Sequence, residues 1–222
     1  MDWNRRKTTA GPRPRSTPRR PGKWRYPAGV EADYRRRLDA VAQACRDAVE
    51  RHVVPALSRV RQDDLNSLPP SEGWFETMRL AFLEALAAAS VDEHTSRELV
   101  ELIASRIDRY NAEEWQRVLR RAYGVDVFRA APDLAGLMRI WEAENIGLIR
   151  SIPSQYLDTL HGRVVAAVQR GTPLREMTKM VRDTYGLPRS RAELIARDQV
   201  GKLNGQLTRQ RQTATGVKSY RW

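Results

Sequence analysis

The chain is predicted to be mainly α: a multi-helix body, a long C-terminal helix leading into a short β segment, and a disordered basic N-terminal arm. Three observations carry this prediction. Apolar residues recur at steps of three and four along most of the sequence, the spacing of one helix face rather than the alternation of a strand. The apolar content is dominated by Ala and Leu with only three Phe, which favours helix over sheet. The third is the stretch Pro188 to Trp222, in which Ile195, Gln199, Leu203 and Leu207 fall at four-residue steps beside Ala192, Ala196 and Val200.

Taken in order, residues 1–27 form the arm. Pro12, Pro14, Pro18, Pro21 and Pro27 remove backbone donors and block helix, and the segment has too little apolar surface to offset the entropy of ordering. Residues 28–131 form an N-terminal helical region. A first helix is expected from Val30 to Arg59 through Tyr34, Leu38, Val41, Cys45, Val49 and Val53, with Pro55 expected to kink or end it. Asp63 to Gly73 reads as a linker around Pro69-Pro70. A second helix runs from Trp74 to Ala89 with Phe75, Met78, Phe82 and Leu86 on its face. A third covers Asp92 to Tyr110 through Leu99, Ile103 and Ile107. Asn111 followed by Glu114 has the form of a capping box, so a fourth helix is expected to start there and stop at Gly124. Val125 to Ala131 reads as extended.

Residues 132–222 form the last region. Asp133 is placed to cap a fifth helix that reaches Ser151 through Leu137, Ile140, Trp141 and Leu148. Ile152-Pro153 is expected to break it, with Ser154 capping the next helix, which carries Leu157, Leu160, Val164 and Val168 to Gly171. Thr172-Pro173 then starts a helix through Leu174, Met177, Val181 and Tyr185, ending at Gly186. For the final helix, Ser190 and Glu193 form a capping box, Pro188 discourages helix at Leu187, and Gly216 supplies a left-handed stop. Val217, Ser219 and Tyr220 begin the expected strand. No internal repeat is evident.

The segment RAELIARDQVGKLNGQLTRQRQ…GVKSYRW resembles the signature of phage head morphogenesis proteins of the Mu F-like minor head protein family. The residues that carry the resemblance are Arg191, Glu193, Arg197, Asp198, Asn204, Gly216, Tyr220 and Trp222. Many members have Thr-Glu after "IAR", whereas this chain has Asp198-Gln199. The rhythm from Trp141 to Gly186 fits the same family, and "YPAGVEADYRRRLDAV…VVPAL" resembles its N-terminal part less specifically. The resemblance implies a structural minor head protein acting in head morphogenesis at or near the portal vertex. Portal protein, major capsid protein and packaged double-stranded DNA would be its partners, with location in the virion head and in host cytoplasm during assembly. Members continue past the Trp into a β-rich region, so the chain is expected to be truncated there.

Charge adds an independent reading. The net charge of +12 is concentrated at the ends. Up to Pro27 the cations are Arg5, Arg6, Lys7, Arg13, Arg15, Arg19, Arg20, Lys23 and Arg25, against Asp2 alone. From Gly186 onward Arg189, Arg191, Arg197, Lys202, Arg209, Arg211, Lys218 and Arg221 face only Glu193 and Asp198, and the middle is close to neutral. Such polarisation points to contacts with something acidic. The arm cations are the candidate contacts to phosphates or an acidic protein groove, with Trp3, Trp24 and Tyr26 available to stack on bases or anchor in a partner.

The residues point away from catalysis. His52, His94 and His161 fall on separate helices without ligand spacing, and no HExxH, Walker A or GxSxG motif occurs. Glu113 and Glu114, or Glu142 and Glu144, read as solvated helix acids, Arg35-Arg36-Arg37 as a wet face, and Asp198 with Lys202 as a surface ion pair. Cys45, on an apolar stripe, reads as a packed thiol and leaves no partner for an internal disulfide. No enzyme activity, metal, cofactor, small-molecule substrate or membrane association is expected. Arg197, Gly201, Gly205 and Arg209 form a smooth stripe open either to another helix of the same domain or to an external partner, and Asn204 is expected to bond a neighbouring backbone group. Two alternatives stand beside the head-protein reading. One is a helix-turn-helix-like regulator using 173–185 and 190–215; the other is a nuclease or toxin-type protein whose active region is missing.

Overall fold

A computed structural model describes residues 23–59, 72–123 and 132–216. Within them every regular element is helical. Helix α1 (Ala28–Ala48) passes through one π turn (Val49–Val53) into α2 (Val54–Arg59). Then come α3 (Glu72–Ala89), α4 (Glu93–Tyr123), α5 (Ala135–Gln169), α6 (Leu174–Asp183) and α7 (Leu187–Ala214). The mainly-α expectation holds. The expected strand after Gly216, the extended 125–131 strip, the Gly124 stop and most of the Asp63–Gly73 linker lie outside the described residues.

The core is one cluster. Tyr34, Leu38, Cys45, Val49 and Val53 of the first helix meet Met78 and Phe82 of α3, Ile103 and Ile107 of α4, Trp141, Ile149 and Leu160 of α5, and Val200, Leu203 and Leu207 of α7. Helix α7 lies at its centre, packed most extensively on α1 and also on α4 and α5. Each fully buried aliphatic side chain contributes about 1.5–3 kcal/mol, so this cluster is what holds the body.

Three expected breaks are not breaks. Pro55 does not end its helix, because the π turn just before it absorbs the change of register: Val54 N–H bonds Val49 O, five residues back. Proline at 153 sits inside α5, which runs unbroken to Gln169. Ile149, Ile152, Pro153, Tyr156 and Leu157 are all buried there, and that burial offsets the roughly 3 kcal/mol that an interior proline costs. Ser154 is therefore mid-helix, not a cap. Asn111 is likewise mid-helix: α4 is one helix to Tyr123, and the stripe Val100, Ile103, Ile107, Asn111, Val118, Ala122 continues through it.

Smaller corrections concern ends and faces. Helix α3 begins at Glu72, and it buries Trp74 where Phe75 was expected, leaving Phe75 exposed. Helix α7 begins at Leu187 with Pro188 in its first turn, a favoured place because that N–H has no helical partner. Ser190 Oγ donates to Gly186 O at 3.1 Å instead of closing a box with Glu193. Helix α6 ends at Asp183 and a turn carries the chain through Gly186. Asp92 caps α4, its Oδ1 accepting from Thr95 N–H at 2.9 Å. The N-cap of α5 is Leu134, one residue past the expected Asp133, whose Oδ1 accepts from Ala135 N–H at 3.0 Å. Gly171 at φ 67° closes α5 in a Schellman turn, with Thr172 N–H on Ala167 O and Gly171 N–H on Val168 O. Gly216 at φ 82° ends α7.

Candidate functional site

The candidate site is the place where the root of the basic arm meets the motif-bearing helix. Lys23–Pro27 lies along α4 and reaches α7. Arg25 N–H donates to Glu114 Oε1 at 2.7 Å, and Arg117 Nη2 donates to Lys23 O at 2.9 Å. Tyr110 OH donates to Tyr26 O at 3.2 Å, and Tyr26 OH donates to Arg197 O at 3.3 Å. Trp24 packs against Trp115 with ring centroids 6.2 Å apart, and Pro27 is buried. The arm was expected to extend to residue 27, but these contacts end it before Lys23. Trp24 and Tyr26 face this chain's own helices; neither is held out for bases.

Of the arm cations, Lys23 and Arg25 are described, and both side chains are exposed. Arg5, Arg6, Lys7, Arg13, Arg15, Arg19 and Arg20 lie outside the described residues, as do Tyr220 and Trp222. Glu114 binds both nitrogens that Arg117 turns toward it, Nε at 2.7 Å, and the arginine holds its carboxyl below the usual range. Glu114 has no capping role to play, because Asn111 lies inside α4 and not at its start.

The motif residues divide by role. Asn204 is buried at a polar seam between α4 and α7. Asn111 Nδ2 donates to Asn204 Oδ1 at 2.8 Å, to Asn204 O at 3.1 Å and to Thr208 Oγ1 at 2.8 Å. Arg211 donates to Asn111 Oδ1 and, at 2.6 Å, to Asp108 Oδ1. Asn204 was expected to bond a backbone group; its amide oxygen instead accepts from the Asn111 side chain. Arg191 reaches Ser151 Oγ at 2.8 Å, tying α7 to α5. Arg197 and Asp198 are exposed and pair with each other at 3.3 Å. Lys202 pairs with Glu144 of α5, not with Asp198. Glu193 stands 3.8 Å from Arg189.

A second seam joins α5 to α7. Trp141 Nε1 donates to Gln199 O at 3.0 Å, Asn145 Nδ2 donates to Gln199 Oε1 at 3.1 Å, and Tyr34 OH donates to Asn145 Oδ1 at 3.0 Å. Gln199 is therefore committed to packing. Sequence reasoning missed Asn111, Asp108, Asn145 and Arg211. The available signal was that Asn111 and Asn145 both continue apolar stripes, where a polar side chain must find a buried partner.

The glycine stripe is partly occupied by the arm root: the Tyr26 ring lies 4.0 Å from where a Gly201 Cβ would sit, while Gly205 is open. Among the described residues no group of three His, Cys, Asp or Glu is placed to hold a metal ion, and no helix is long and apolar enough to cross a membrane. Cys45 is buried, and burial pushes its thiol up to about 12. His52 Nδ1 is 3.1 Å from Glu84 Oε2, and His161 packs on Phe82.

No protein-family model and no solved structure matches the chain. A Haemophilus influenzae protein described as uncharacterized is similar, 29% identical over 198 residues. The match covers 87% of this chain and 43% of that protein, so the chain spans less than half the length of this relative.

Proposed function

We propose that the chain is a structural minor head protein of a tailed bacteriophage. In this reading it acts in head morphogenesis at or near the portal vertex, and its basic arm touches packaged DNA. The observation that carries the reading is the arm root: a segment with nine cations and one acid is fastened, through Tyr26 and Arg197, to the helix bearing the head-protein-like motif. Lys23 and Arg25, the described cations of that segment, are thereby held on the body. The helical body supplies protein-facing surface, and the arm supplies the contact to a polyanion. The exposed face of α7 speaks against the helix-turn-helix alternative. Its N-terminal half exposes Glu193, Leu194 and Asp198 beside its arginines, two acids and an apolar side chain where a recognition helix would meet DNA.

The test has two parts. Antibody against the chain should label purified phage heads, and the chain should co-purify with a portal ring; absence from assembled heads overturns the reading. For the DNA contact, neutralising ~6 phosphates makes binding fall on the order of a thousandfold between 50 and 200 mM salt. Deleting residues 1–22 should flatten that dependence, and an unchanged slope would remove the arm as the contact.

A further inference from the structure

We infer that the cleft between α1 and the α6–α7 corner is a docking site for an acidic peptide segment of a partner protein. Arg36, Asp39, Gln43 and Arg46 are spaced three, four and three apart, which places them on one face of α1. Opposite them stand Tyr185 and Arg189, and the cleft between holds about 610 Å³. Three arginines therefore line it against one carboxylate.

These cations are less tightly paired than others on the surface. Arg79, Arg117 and Arg182 each sit within 3.1 Å of a carboxylate oxygen. Arg189 has acids only at 3.8 Å, Glu193, and 3.9 Å, Asp39, both beyond hydrogen-bond reach. Arg46 lies 5.5 Å above the centre of the Tyr185 ring, its guanidinium resting on an aromatic face rather than on an acid. Arg36 is bonded to Asp33 at 3.0 Å and is the weakest of the three candidates. The Glu50–Arg182 pair and the Gln43–Asp47 bond flank the cleft and are already satisfied.

The ligand class follows from the cations: Arg189 has no carboxylate within hydrogen-bond reach, and Arg46 rests on the Tyr185 ring. An acidic peptide offers a side-chain carboxylate to each guanidinium. The distance along α1 from residue 36 to 46 is about 15 Å at helical rise, which matches roughly four to five extended residues. A DNA duplex is too wide to enter. The assignment stands on the cleft and does not require the head-protein reading.

The probe is a fluorescein-labelled hexaglutamate peptide titrated into the full chain, read by anisotropy. The charge reversals Arg46→Glu and Arg189→Glu together are expected to weaken binding at least about tenfold, and the milder pair Arg46→Gln and Arg189→Gln to weaken it less. Reversing Arg19 and Arg20 in the arm is the control and should change it by less than about twofold. Arg46 and Arg189 are both exposed, so both variant pairs should remain folded, the Gln pair the less perturbed because it adds no like charge beside Glu193. A photo-crosslinking residue at Gln43 should capture the peptide. The inference is overturned if the arm reversal costs more than the cleft reversal, if wild-type binding does not saturate, or if a short DNA duplex is captured at position 43 as efficiently as the peptide.

Discussion

Helix α7 makes two polar seams, and they are built on different principles. Toward α5 the buried part of the seam is neutral, with charge at its half-exposed rim where Lys202 meets Glu144: Trp141, Asn145 and Gln199 exchange hydrogen bonds with one another and with backbone, and Trp141 brings a large apolar area. Toward α4 the seam turns on one cation, Arg211, which joins Asn111 to Asp108. In the first, hydrogen bonding fixes the orientation of groups that burial already stabilises. In the second, hydrogen bonding is most of what the side chains do there, and its value is positional: only one axial placement of α7 on α4 brings Asn204, Thr208 and Arg211 all onto Asn111 and its neighbour Asp108.

The comparison predicts a larger loss from the neutral seam. Trp141→Ala removes a fully buried indole and leaves Gln199 O without its donor, so it should cost about 4 kcal/mol, measurable by denaturant unfolding. Arg211→Met keeps the aliphatic stem but strands Asn111 Oδ1. It should cost about 2–3 kcal/mol, less than a wholly buried pair because Asp108 remains partly exposed and can be hydrated. If the methionine variant proves the more damaging, the ionic seam carries more of the fold than this division allows. Next in size is Tyr34→Phe. It leaves Asn145 Oδ1 without its tyrosine donor while preserving the ring, at about 1–2 kcal/mol, and a loss near zero would show that Asn145 has another donor.

The apolar half of this architecture was legible in the sequence, and the polar half only in part: Gln199 and Asn204 were singled out, but their partners Asn145 and Asn111 were not. Tyr34, Leu38, Met78, Ile103, Leu160 and Leu203 all follow from periodicity, because burial needs only a face. Pro153 and Asn111 misled for a shared reason: each carries a strong local signal that a tertiary contact overrides. Proline inside α5 is tolerated because the buried side chains around it outweigh one lost backbone bond. Asn111 does not compete for its own backbone because Asn204, Thr208 and Arg211 saturate its amide. The same applies to the arm. Its composition argued for disorder to residue 27, but the partners that fasten Lys23–Pro27 sit on helices more than eighty residues away in sequence. At the candidate site, charge could nominate the arm cations, but only the folded chain shows the arm root on α7.

The smallest predicted effect separates the arm root from both seams. Glu114 accepts from Arg117 and from the backbone of Arg25, and the Arg117 hydrogen bond is the chief cause that holds its carboxyl below the ordinary value of 4.5, with burial opposing. Because the folded carboxyl is the stronger acid, the unfolded chain binds more protons as the solution is acidified. The stability it contributes is therefore present above about pH 4.5 and is lost as pH falls through the folded pKa. Glu114→Gln keeps an acceptor for Arg25 N–H but gives up the charge. At neutral pH it should destabilise by less than about 1 kcal/mol, since Arg117 is partly in water. The gap between variant and wild type should then narrow as pH falls below 4.5, read as converging melting temperatures. Trp141→Ala should not converge in this way, because it alters none of the Glu114 contacts and removes no ion pair. A constant gap down to acid would mean that Glu114 acts at the arm root as a hydrogen-bond acceptor alone, its charge irrelevant to how the arm is held.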